Sequence, residues 1–246
     1  MMQFDFATLD TAHRYKVLAS TVVPRPIAWV TTLSAAGVAN AAPYSFFNVM
    51  GSQPPIVALG LLARGDGSLK DTAANIIQGG EFVVHLVSEP LAQAMNLTCI
   101  DAPPGVDEIA LAGLATTPSL RVAPPRLADA PVAFECISRA AIATGPSQVL
   151  VVGEVLMAHI QDDAVIDAAR CHFATERLGL VARMHGAGWY DRAGTDMFQM
   201  DRPAWADHIA PRTQATARSR PDDRCRSHAH AAGLARARPR GARPRL

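Results

Sequence analysis

The stretch that decides the fold is VVPRPIAWVTTLSAAGVANAAPYSFFNVMGSQPPIVALGLL, residues 22–62. It holds three apolar runs of strand length: residues 27–33, a run that begins at Val38, and residues 56–62. A Ser-Ala-Ala-Gly turn follows the first run, and two prolines, which cannot donate to a strand ladder, precede the third. Between the second and third runs lies Ala-Pro-Tyr-Ser-Phe-Phe-Asn, residues 42–48, which we call the polar-aromatic segment. We expect two strands to deliver this segment to one end of a sheet, where a planar ligand can bind.

Four motifs around this stretch carry a resemblance to a known family. They are P-R-P-I-A-W-V-T-T at 24–32, N-x-A-P-Y-S-F-F-N at 40–48, P-P at 54–55 and K-D-T-x-x-N at 70–75. In this order they resemble the flavin reductase-like family with an FMN-binding split barrel, to which flavoredoxin also belongs. The resemblance covers roughly residues 4–203. It implies a mainly β chain, an antiparallel split barrel of Greek-key type with about six strands and short flanking helices.

The loop after the third run is a candidate anion site. We predict a helix over residues 73–78, capped by Asp71 or Thr72 and ended by two glycines. Four polar side chains then cluster at the helix N-terminus, where free N–H groups and the helix dipole favour an anion; they are Arg64, Ser68, Lys70 and Thr72. A plain capping loop is the alternative interpretation. The glycine spacing matches neither a Walker A loop nor a dinucleotide fingerprint.

The resemblance implies that the flavin ring lies against the polar-aromatic segment and that the Arg64–Thr72 loop holds the FMN phosphate. The candidate cofactor-binding residues are Arg25, Trp29, Thr31, Tyr44, Ser45, Phe46, Asn48, Arg64, Ser68, Lys70, Thr72 and Tyr190. We predict no metal site, because the histidines and cysteines lack ligand spacing. No catalytic residue is assigned, since the flavin would carry the chemistry.

Several of these residues have a second interpretation. Arg25, between two prolines, reads in isolation as a strand-edge charge, although its fork suits a phosphate. Trp29 is more typical of a core than of a flavin contact, and Tyr190 equally suits the closed end of a barrel. His85 reads as a hydrogen-bonded sheet histidine, with a contact near the flavin or a subunit interface as the alternative.

Two functions from different classes follow from the resemblance. The first is an enzyme in which NADH or NADPH gives a hydride to flavin N5 and the reduced flavin passes electrons to free flavin, a partner oxygenase or another acceptor. The second is a flavoredoxin-like FMN electron carrier without its own nicotinamide site. A third hypothesis, a nucleic-acid module, rests on the basic C-terminal region alone.

Composition separates the chain into two parts. Residues 1–210 hold 13 Lys and Arg against 20 Asp and Glu, whereas residues 211–246 hold ten Arg against two Asp. The second part lacks Ile, Val, Phe, Tyr and Trp, so it cannot bury enough apolar surface to fold. We therefore expect one flavin reductase-like domain over 1–210 and a disordered tail over 211–246. An aberrant or decorative tail is favoured over a nucleic-acid-binding arm.

The remaining composition is that of a compact domain, with 49% hydrophobic and 18% charged residues. No run approaches the roughly 20 apolar residues of a membrane helix, and the N-terminus carries acids rather than Lys or Arg. We therefore expect a cytoplasmic protein that does not bind membranes. The cysteines form no C-x-x-C pair and read as buried thiols.

Further expectations concern single elements. We expect Tyr15 and Leu18 on the core side of an N-terminal helix, and an excursion over residues 101–130 that covers the barrel mouth. Strands are predicted at 81–87, 133–143 and 148–160, and a helix over 91–97 after a capping serine. Glu135 and Glu154 lie in two of these strands; as a pair they suit acid/base work, but we favour exposed alternating positions.

The strands also predict an assembly. Several are apolar at nearly every position, which indicates that both faces of the sheet are covered. Since few amphipathic helices are available, a second copy of the chain is the expected cover, giving a homodimer with FMN at or near the interface. Helices from residues 101–130 are the alternative cover.

Overall fold

The computed structural model describes residues 1–186, 188–200 and 202–203. The chain divides into Met1–Phe198 and Gln199–Leu246, and every helix and strand of the described residues lies in the first unit. Within the described chain, the α-helices are α1 (Thr11–Thr21), α2 (Asp71–Gly79), α3 (Ala92–Leu97) and α4 (Glu108–Leu111). The strands of the same residues are β1 (Arg25–Pro26), β2 (Ala28–Leu33), β3 (Ala39–Tyr44), β4 (Phe47–Ser52), β5 (Pro55–Leu62), β6 (Glu81–Leu86), β7 (Thr116–Thr117), β8 (Arg126–Leu127), β9 (Val132–Gly145), β10 (Gln148–Ile160), β11 (Val165–Asp167), β12 (His172–Phe173), β13 (Val181–Arg183) and β14 (Tyr190–Arg192). The tail predicted at 211–246 lies outside the described residues.

One antiparallel sheet organises the chain, with strand order β3-β2-β6-β9-β10-β5-β4. A smaller antiparallel sheet has the order β1-β13-β14. The expected mainly β, antiparallel architecture with short helices is confirmed. The edge strands of the large sheet, β3 and β4, are consecutive in the chain, and only Ser45 and Phe46 separate them. The sheet therefore curls until its two edges are joined at the polar-aromatic segment; we call this joint the seam.

The seam differs in one respect from the sequence expectation. The second apolar run ends as β3 at Tyr44, and a separate edge strand, β4, begins at Phe47. The polar-aromatic segment thus spans the end of one edge and the start of the other. The third run begins at Pro55, after a cis peptide bond between Gln53 and Pro54.

Strand β2 is buried on both faces, including its two threonines, as expected for a strand that is apolar at most positions. Ala28 and Val30 pack in the cluster inside the curled sheet together with Phe82. Trp29 points to the other face, where it packs in a second cluster with Met95 of α3. Burial of such side chains stabilises the fold by about 1.5–3 kcal/mol each. Short helices and loops of the same chain therefore cover the outer face at β2.

Inside the sheet, one glycine permits a close approach. A Cβ atom at Gly153 of β10 would lie 2.4 Å from Cζ of Phe82, whose side chain is fully buried. Because this ring cannot move away without opening the core, only glycine fits at this point of β10.

Helix α2 begins two residues earlier than predicted. Its N-cap is Lys70, whose side chain makes no capping hydrogen bond, so the expected caps Asp71 and Thr72 are wrong. Both residues lie in the first turn instead, where Asp71 pairs with Arg64. The predicted end is confirmed, because Gly80 adopts a left-handed conformation with φ of 76°.

Helix α1 is not a core element. Tyr15 and Leu18, expected on the core side, are 48% and 46% exposed, and only Ala19 of this helix is buried. The C-terminal end of the helix is held instead by Arg25, which donates hydrogen bonds to the carbonyl oxygens of Ala19 and Val22. The helix therefore lies on the surface next to the seam.

The excursion over residues 101–130 divides between two places. Its first part approaches the seam, because Asp101 contacts Lys70 and the N–H of Gly105 donates to Asp71. Its later part packs on the outer face of the sheet, where Thr31 donates to the carbonyl of Pro125 at 2.6 Å. Only the first part therefore lies near the predicted site.

Glu135 anchors the later part of residues 101–130. The expectation that its side chain is exposed is wrong. This side chain is fully buried rather than exposed. Its oxygens accept hydrogen bonds from the N–H groups of Leu120 and Arg121 at 2.8 and 2.5 Å, and Oε1 lies 2.6 Å from Nε2 of His159. Glu154 is less buried, with its side chain 22% exposed and paired with Arg139. The two carboxylates thus serve structure and do not form an acid/base pair.

Candidate functional site

Four clefts surround the seam. The Lys70 cleft, about 120 Å³, is lined by Asn40, Tyr44, Arg64, Lys70, Asp71, Thr72, Asp101 and Glu108 among others. The Tyr15 cleft, about 210 Å³, is lined mainly by Tyr15, Tyr44, Ser45, Phe46, Leu62 and Lys70. The apolar groove, about 440 Å³, is lined mainly by Leu18, Val22, Phe46, Phe47, Met50 and Leu150. The Arg183 cleft, about 240 Å³, is lined mainly by Ile27, Tyr44, Ser45, Met95, Asn96, Arg183 and Tyr190. Tyr44 and Ser45 each line three of these clefts, which makes the seam their common wall.

Ser45 is held by a buried cation. Nε of Arg25 donates to Oγ of Ser45 at 3.3 Å, while the Nη atoms donate to three main-chain carbonyls, of Ala19, Val22 and Met184. Arg25 is only 5% exposed, and burial lowers the pKa of its guanidinium. The donors of Arg25 therefore join the seam to α1 and to the end of β13, and its expected help in holding a phosphate stays a prediction. Since an arginine can only donate, the Ser45 hydroxyl remains free to donate its own proton.

Tyr44 contributes a neutral hydroxyl. Burial raises the pKa of its phenol to about 12, so the group stays protonated at neutral pH. Beneath it lies a network of uncharged side chains: Asn40 donates to Thr72 at 2.9 Å and contacts Thr32. Asn75 of α2 donates to Thr32 at 2.8 Å. The network fixes the start of α2 against β2 and β3.

Phe46 and Asn48 complete the segment. The ring of Phe46 packs on Tyr15 of α1, with 5.8 Å between ring centroids. Oδ1 of Asn48 accepts from the N–H of Val49 at 2.8 Å, and this residue is exposed. Both side chains line the apolar groove.

Three of the four residues predicted to hold a phosphate line the Lys70 cleft. Arg64, Lys70 and Thr72 line it, whereas Ser68 does not and donates to Asp66 at 2.7 Å. Thr72 is 1% exposed. The two cations are paired with carboxylates, Arg64 with Asp71 at 3.1 Å and Lys70 with Asp101 at 3.2 Å.

Two acidic members of the Lys70 cleft, Asp101 and Glu108, were not expected there from the sequence. Asp101 is separated from Lys70 by 31 residues. Glu108 of α4 is mostly buried and accepts from the N–H of Ala41 at 3.3 Å; burial raises the pKa of its carboxyl. No local pattern indicates that these carboxylates return to the seam.

Trp29 and Thr31 do not present their side chains to any cleft. Both are fully buried; the indole N–H of Trp29 donates to Thr98 at 3.0 Å, and Thr31 is bonded to Pro125. Their side chains therefore have no surface from which to contact a flavin, and the core interpretation of Trp29 is confirmed.

His85 is a satisfied sheet histidine, as interpreted. Its Nε2 accepts from the N–H of Leu127 at 2.9 Å, which leaves the proton on Nδ1 to be donated to the carbonyl of Trp29 at 2.9 Å. Burial lowers its pKa to about 4. It is neutral at physiological pH and lies outside the clefts.

Tyr190 reaches the seam from the smaller sheet. It lies opposite Arg183 in the β13–β14 ladder, and the Arg183 guanidinium stands 4.8 Å from the centre of the Tyr190 ring. Both line the Arg183 cleft together with Ser45. Arg183 was missed from sequence, because nothing in the surrounding residues marks the end of so short a strand as a cavity wall.

Two further observations concern metal ions and membranes. The described residues contain no group of three His, Cys, Asp or Glu side chains arranged to hold a metal ion. Among the same residues, no helix has the length and apolar composition of a bilayer span.

Known proteins share this architecture. Residues 19–175 match the family model of the flavin reductase like domain. Nitrilotriacetate monooxygenase component B from Bacillus cereus has a TM-score of 0.76 and 31% identity, over 81% of this chain and 98% of that protein. For Pseudomonas fluorescens 2-nitrobenzoate 2-nitroreductase NbaA the TM-score is 0.75 at 31% identity, over 83% of this chain and 98% of that protein.

A more distant structure shows the fold alone. A Shewanella frigidimarina protein with a split barrel domain has a TM-score of 0.69 at 17% identity, over 82% of this chain and 100% of that protein. The expected split barrel is therefore confirmed. The family model spans well over half of the chain, and the sequence motifs at 24–32, 40–48, 54–55 and 70–75 surround the seam. The chain therefore belongs to the flavin reductase-like family.

Proposed function

We propose that the protein is an FMN-binding oxidoreductase of the NAD(P)H-dependent flavin reductase type. The observation that carries the proposal is the seam. There β3 and β4, the edges of the large sheet, meet beside a neutral tyrosine and the free hydroxyl of Ser45. An edge strand leaves a row of its main-chain N–H and C=O groups without a strand partner. An array of fixed donors and acceptors next to apolar surface is what a planar, hydrogen-bonding ring requires.

The residues of the seam fit the isoalloxazine ring of FMN. Its pyrimidine edge alternates donors and acceptors, and strand backbone presents both in fixed directions. Ser45 can donate to a ring acceptor, since Arg25 already donates to its oxygen. Phe46, packed on Tyr15, supplies apolar surface beside the ring.

The Lys70 cleft fits the phosphate of FMN. Lys70 lies at the N-terminus of α2, where the helix dipole favours an anion. Its partner Asp101 has a side chain 82% exposed, and such surface ion pairs contribute little to stability. A phosphate can therefore replace Asp101 at the Lys70 ammonium, with Arg64 and Thr72 as further contacts.

FMN, when bound, supplies a hydride acceptor at N5 and a store of electrons for free flavin, a partner oxygenase or another acceptor. The protein's own residues bind and orient the ring and limit water around it. The likeness to component B of a monooxygenase supports a partner oxygenase as the acceptor. Because the cofactor would carry the redox chemistry, the proposal requires no acid/base pair among the protein's side chains.

We further propose a homodimer with FMN at or near the interface. Next to the seam, the apolar groove and its rim expose large apolar side chains: Leu18 is 46%, Val22 60%, Val49 62% and Met50 63% exposed. Exposed apolar surface of this kind marks an interaction site. A second copy would cover it and close the groove beside the flavin.

The decisive experiment mixes purified protein with FMN and follows NADH or NADPH oxidation at 340 nm under anaerobic conditions. We expect flavin bleaching with one of the two nucleotides, at a rate proportional to protein. Protein that binds FMN but leaves both nucleotides unoxidised would instead be the flavoredoxin-like carrier, and chemical reduction by dithionite would then show the flavin to be redox-active. Protein that binds no FMN, FAD or riboflavin would overturn the proposal.

The homodimer has its own test. Sedimentation and flavin fluorescence are measured over a dilution series of the loaded protein. Release of flavin in step with dissociation is expected, because a site at an interface loses a wall when the partner leaves. A flavin-loaded, active monomer would show that one chain holds the cofactor alone.

A further inference from the structure

Two arginines stand directly opposite each other beside the seam. Arg25 of β1 and Arg183 of β13 are partners in the antiparallel ladder. Like charges in this relation destabilise a sheet unless something compensates them. None of the salt bridges formed by the described residues involves either guanidinium.

The two side chains differ in what occupies their donors. Arg25 is buried and bonded through Nε and both Nη atoms. Arg183 is half-buried, and among the described residues its only hydrogen bond runs from Nη2 to the carbonyl of Gly186 at 3.1 Å. The Arg183 guanidinium also lies over the Tyr190 ring. Among the described residues, Nε and Nη1 of Arg183 have no hydrogen-bond partner and are available as donors.

Among the described residues, no carboxylate pairs with Arg183. No carboxylate lines the Arg183 cleft, whereas Asp71, Asp101 and Glu108 line the Lys70 cleft on the other side of Tyr44. The floor of the Arg183 cleft is apolar, with Ile27 and Met95 both at most 4% exposed. Arg64 and Lys70 are paired with carboxylates, and the donors of Arg25 in the apolar groove are bonded to main-chain carbonyls and to Ser45. Of the cations that line the four clefts, Arg183 is therefore the one that has neither a carboxylate partner nor a full set of bonded donors among the described residues.

The position of the cleft indicates what kind of molecule binds there. It shares Tyr44 and Ser45 with the seam, so its occupant lies beside a flavin bound at the polar-aromatic segment. Its volume of about 240 Å³ suits a single ring with its substituents rather than a whole dinucleotide. A planar ring would pack on the apolar floor of the cleft, and an anionic substituent on that ring would accept hydrogen bonds from the Arg183 guanidinium.

We propose that the Arg183 cleft binds the second redox substrate of the flavin, a planar single-ring molecule or moiety whose carboxylate or phosphate is held by Arg183. The inference rests on the proposed flavin site at the seam. Two sources share this chemistry: an aromatic carboxylate that accepts electrons, and the nicotinamide nucleotide half of the donor with its phosphate.

Matched ligand pairs test the proposal by equilibrium binding to FMN-loaded protein, read from the flavin absorbance difference spectrum. Benzoate is compared with benzamide, and nicotinamide mononucleotide with nicotinamide riboside, because each pair differs only in the anionic group. We expect the anion of at least one pair to bind about ten- to a hundred-fold more tightly than its neutral or dephosphorylated counterpart. Preference within the first pair assigns a carboxylate substrate, and preference within the second assigns the nucleotide.

The variants then locate the effect. Arg183→Gln should abolish the preference and Arg183→Lys should retain part of it, whereas Arg170→Gln, an exposed arginine in the turn before β12, should leave it unchanged. The dissociation constant of FMN should change less than twofold in all three. Equal binding within both pairs, or a preference that survives in Arg183→Gln, overturns the proposal. So does a large loss of FMN in Arg183→Gln, since the cleft would then hold the flavin itself.

Failure of the flavin proposal is a separate outcome. If the protein binds no flavin, the same ligand pairs are titrated against the intrinsic tryptophan fluorescence, to which Trp189, next to Tyr190 and 64% exposed, contributes. A preference for anions that depends on Arg183 would retain the anion site without a flavin, and its absence would overturn that as well.

Discussion

The Nε of Arg25 donates a hydrogen bond to the Oγ of Ser45 across 20 positions of the sequence, at 3.3 Å. A buried cation therefore polarises the Ser45 hydroxyl, which lines three of the four clefts at the seam. Loss of that hydroxyl removes a charge-assisted donor, and such bonds contribute roughly 1.5–3 kcal/mol. We expect Ser45→Ala to weaken FMN binding about tenfold or more, as measured by fluorescence titration.

Ser45→Thr is the matched control for this prediction. It keeps the hydroxyl and should retain most of the affinity, while thermal melting of both variants reports on the fold. Equal FMN affinity in Ser45→Ala and the unchanged protein would place the ring away from this hydroxyl.

Lys70 is expected to recognise the phosphate rather than the ring. Lys70→Ala should loosen FMN about ten- to a hundred-fold and leave riboflavin, which lacks the phosphate, nearly unaffected. Asp101→Asn should act in the opposite direction, since it frees the ammonium of its only salt-bridge partner among the described residues. Titrations of both ligands against both variants measure the effect. Equal losses for FMN and riboflavin in Lys70→Ala would contradict the assignment.

Features that depend on local sequence pattern were predicted. Contacts between residues that lie far apart in the chain were not. Strand runs, the glycine end of α2 and the core role of Trp29 follow from periodicity and residue type. The burial of Glu135 does not, because its partners at Leu120 and Arg121 belong to a loop without regular structure. For the same reason Arg183 and Asp101 escaped notice. The contact of the Arg25 guanidinium with the end of α1 was likewise not expected, because no spacing reveals it.

His85 should make stability depend on pH. Its pKa is about 4 in the folded chain against 6.5 for an unperturbed histidine, so the unfolded chain binds more protons between these values. The free energy of unfolding should therefore fall by roughly 3 kcal/mol as the pH falls from about 6.5 to 4, with no further contribution below. Urea unfolding at several pH values measures this slope.

His85→Gln tests the source of the slope. A glutamine amide can donate to the carbonyl of Trp29 and accept from the N–H of Leu127, but it does not titrate. The variant should fold and lose the contribution, whereas the exposed His172→Gln should behave like the unchanged protein. An unaltered slope in His85→Gln would assign the effect to other groups.

Glu135 should contribute in a different pH range. Burial opposes ionisation of this carboxyl, but the hydrogen bonds from Leu120, His159 and Arg121 outweigh it and hold its pKa below the usual value. Its contribution is therefore complete above pH of about 4.3 and is lost as the pH falls through the lowered pKa. At pH 7, Glu135→Gln should destabilise the fold by roughly 1–3 kcal/mol, because an amide group would face main-chain donors. Urea titrations should show the difference shrinking in acid.

Glu154→Gln is the comparison for Glu135. Its carboxylate pairs with Arg139, whose side chain is 53% exposed, and a surface pair of this kind contributes about 0–1 kcal/mol. Equal effects of the two substitutions would show that the bonds to the loop are not what stabilises it.

Residues 211–246 are expected to be dispensable. Ten arginines without Ile, Val, Phe, Tyr or Trp provide nothing to pack. Truncation after Ala210 should leave the melting temperature and the flavin content unchanged. Loss of flavin on truncation would show that the segment supports the fold, and loss of salt-sensitive DNA binding would favour the nucleic-acid-binding arm.

The seam also determines which changes of sequence the protein can tolerate. Most of its hydrogen-bonding groups are main-chain atoms at the ends of β3 and β4, and a substitution cannot remove a main-chain atom. Apart from Ser45, the joint should therefore accept many residue changes. A change of length is different, because both residues of the connection between Tyr44 and Phe47 are tethered: Arg25 donates to Ser45, and the N–H of Gly60 donates to the carbonyl of Phe46 at 2.7 Å. An added residue would displace at least one of these two contacts. Insertions and deletions, rather than point substitutions, are thus the changes that the joint excludes.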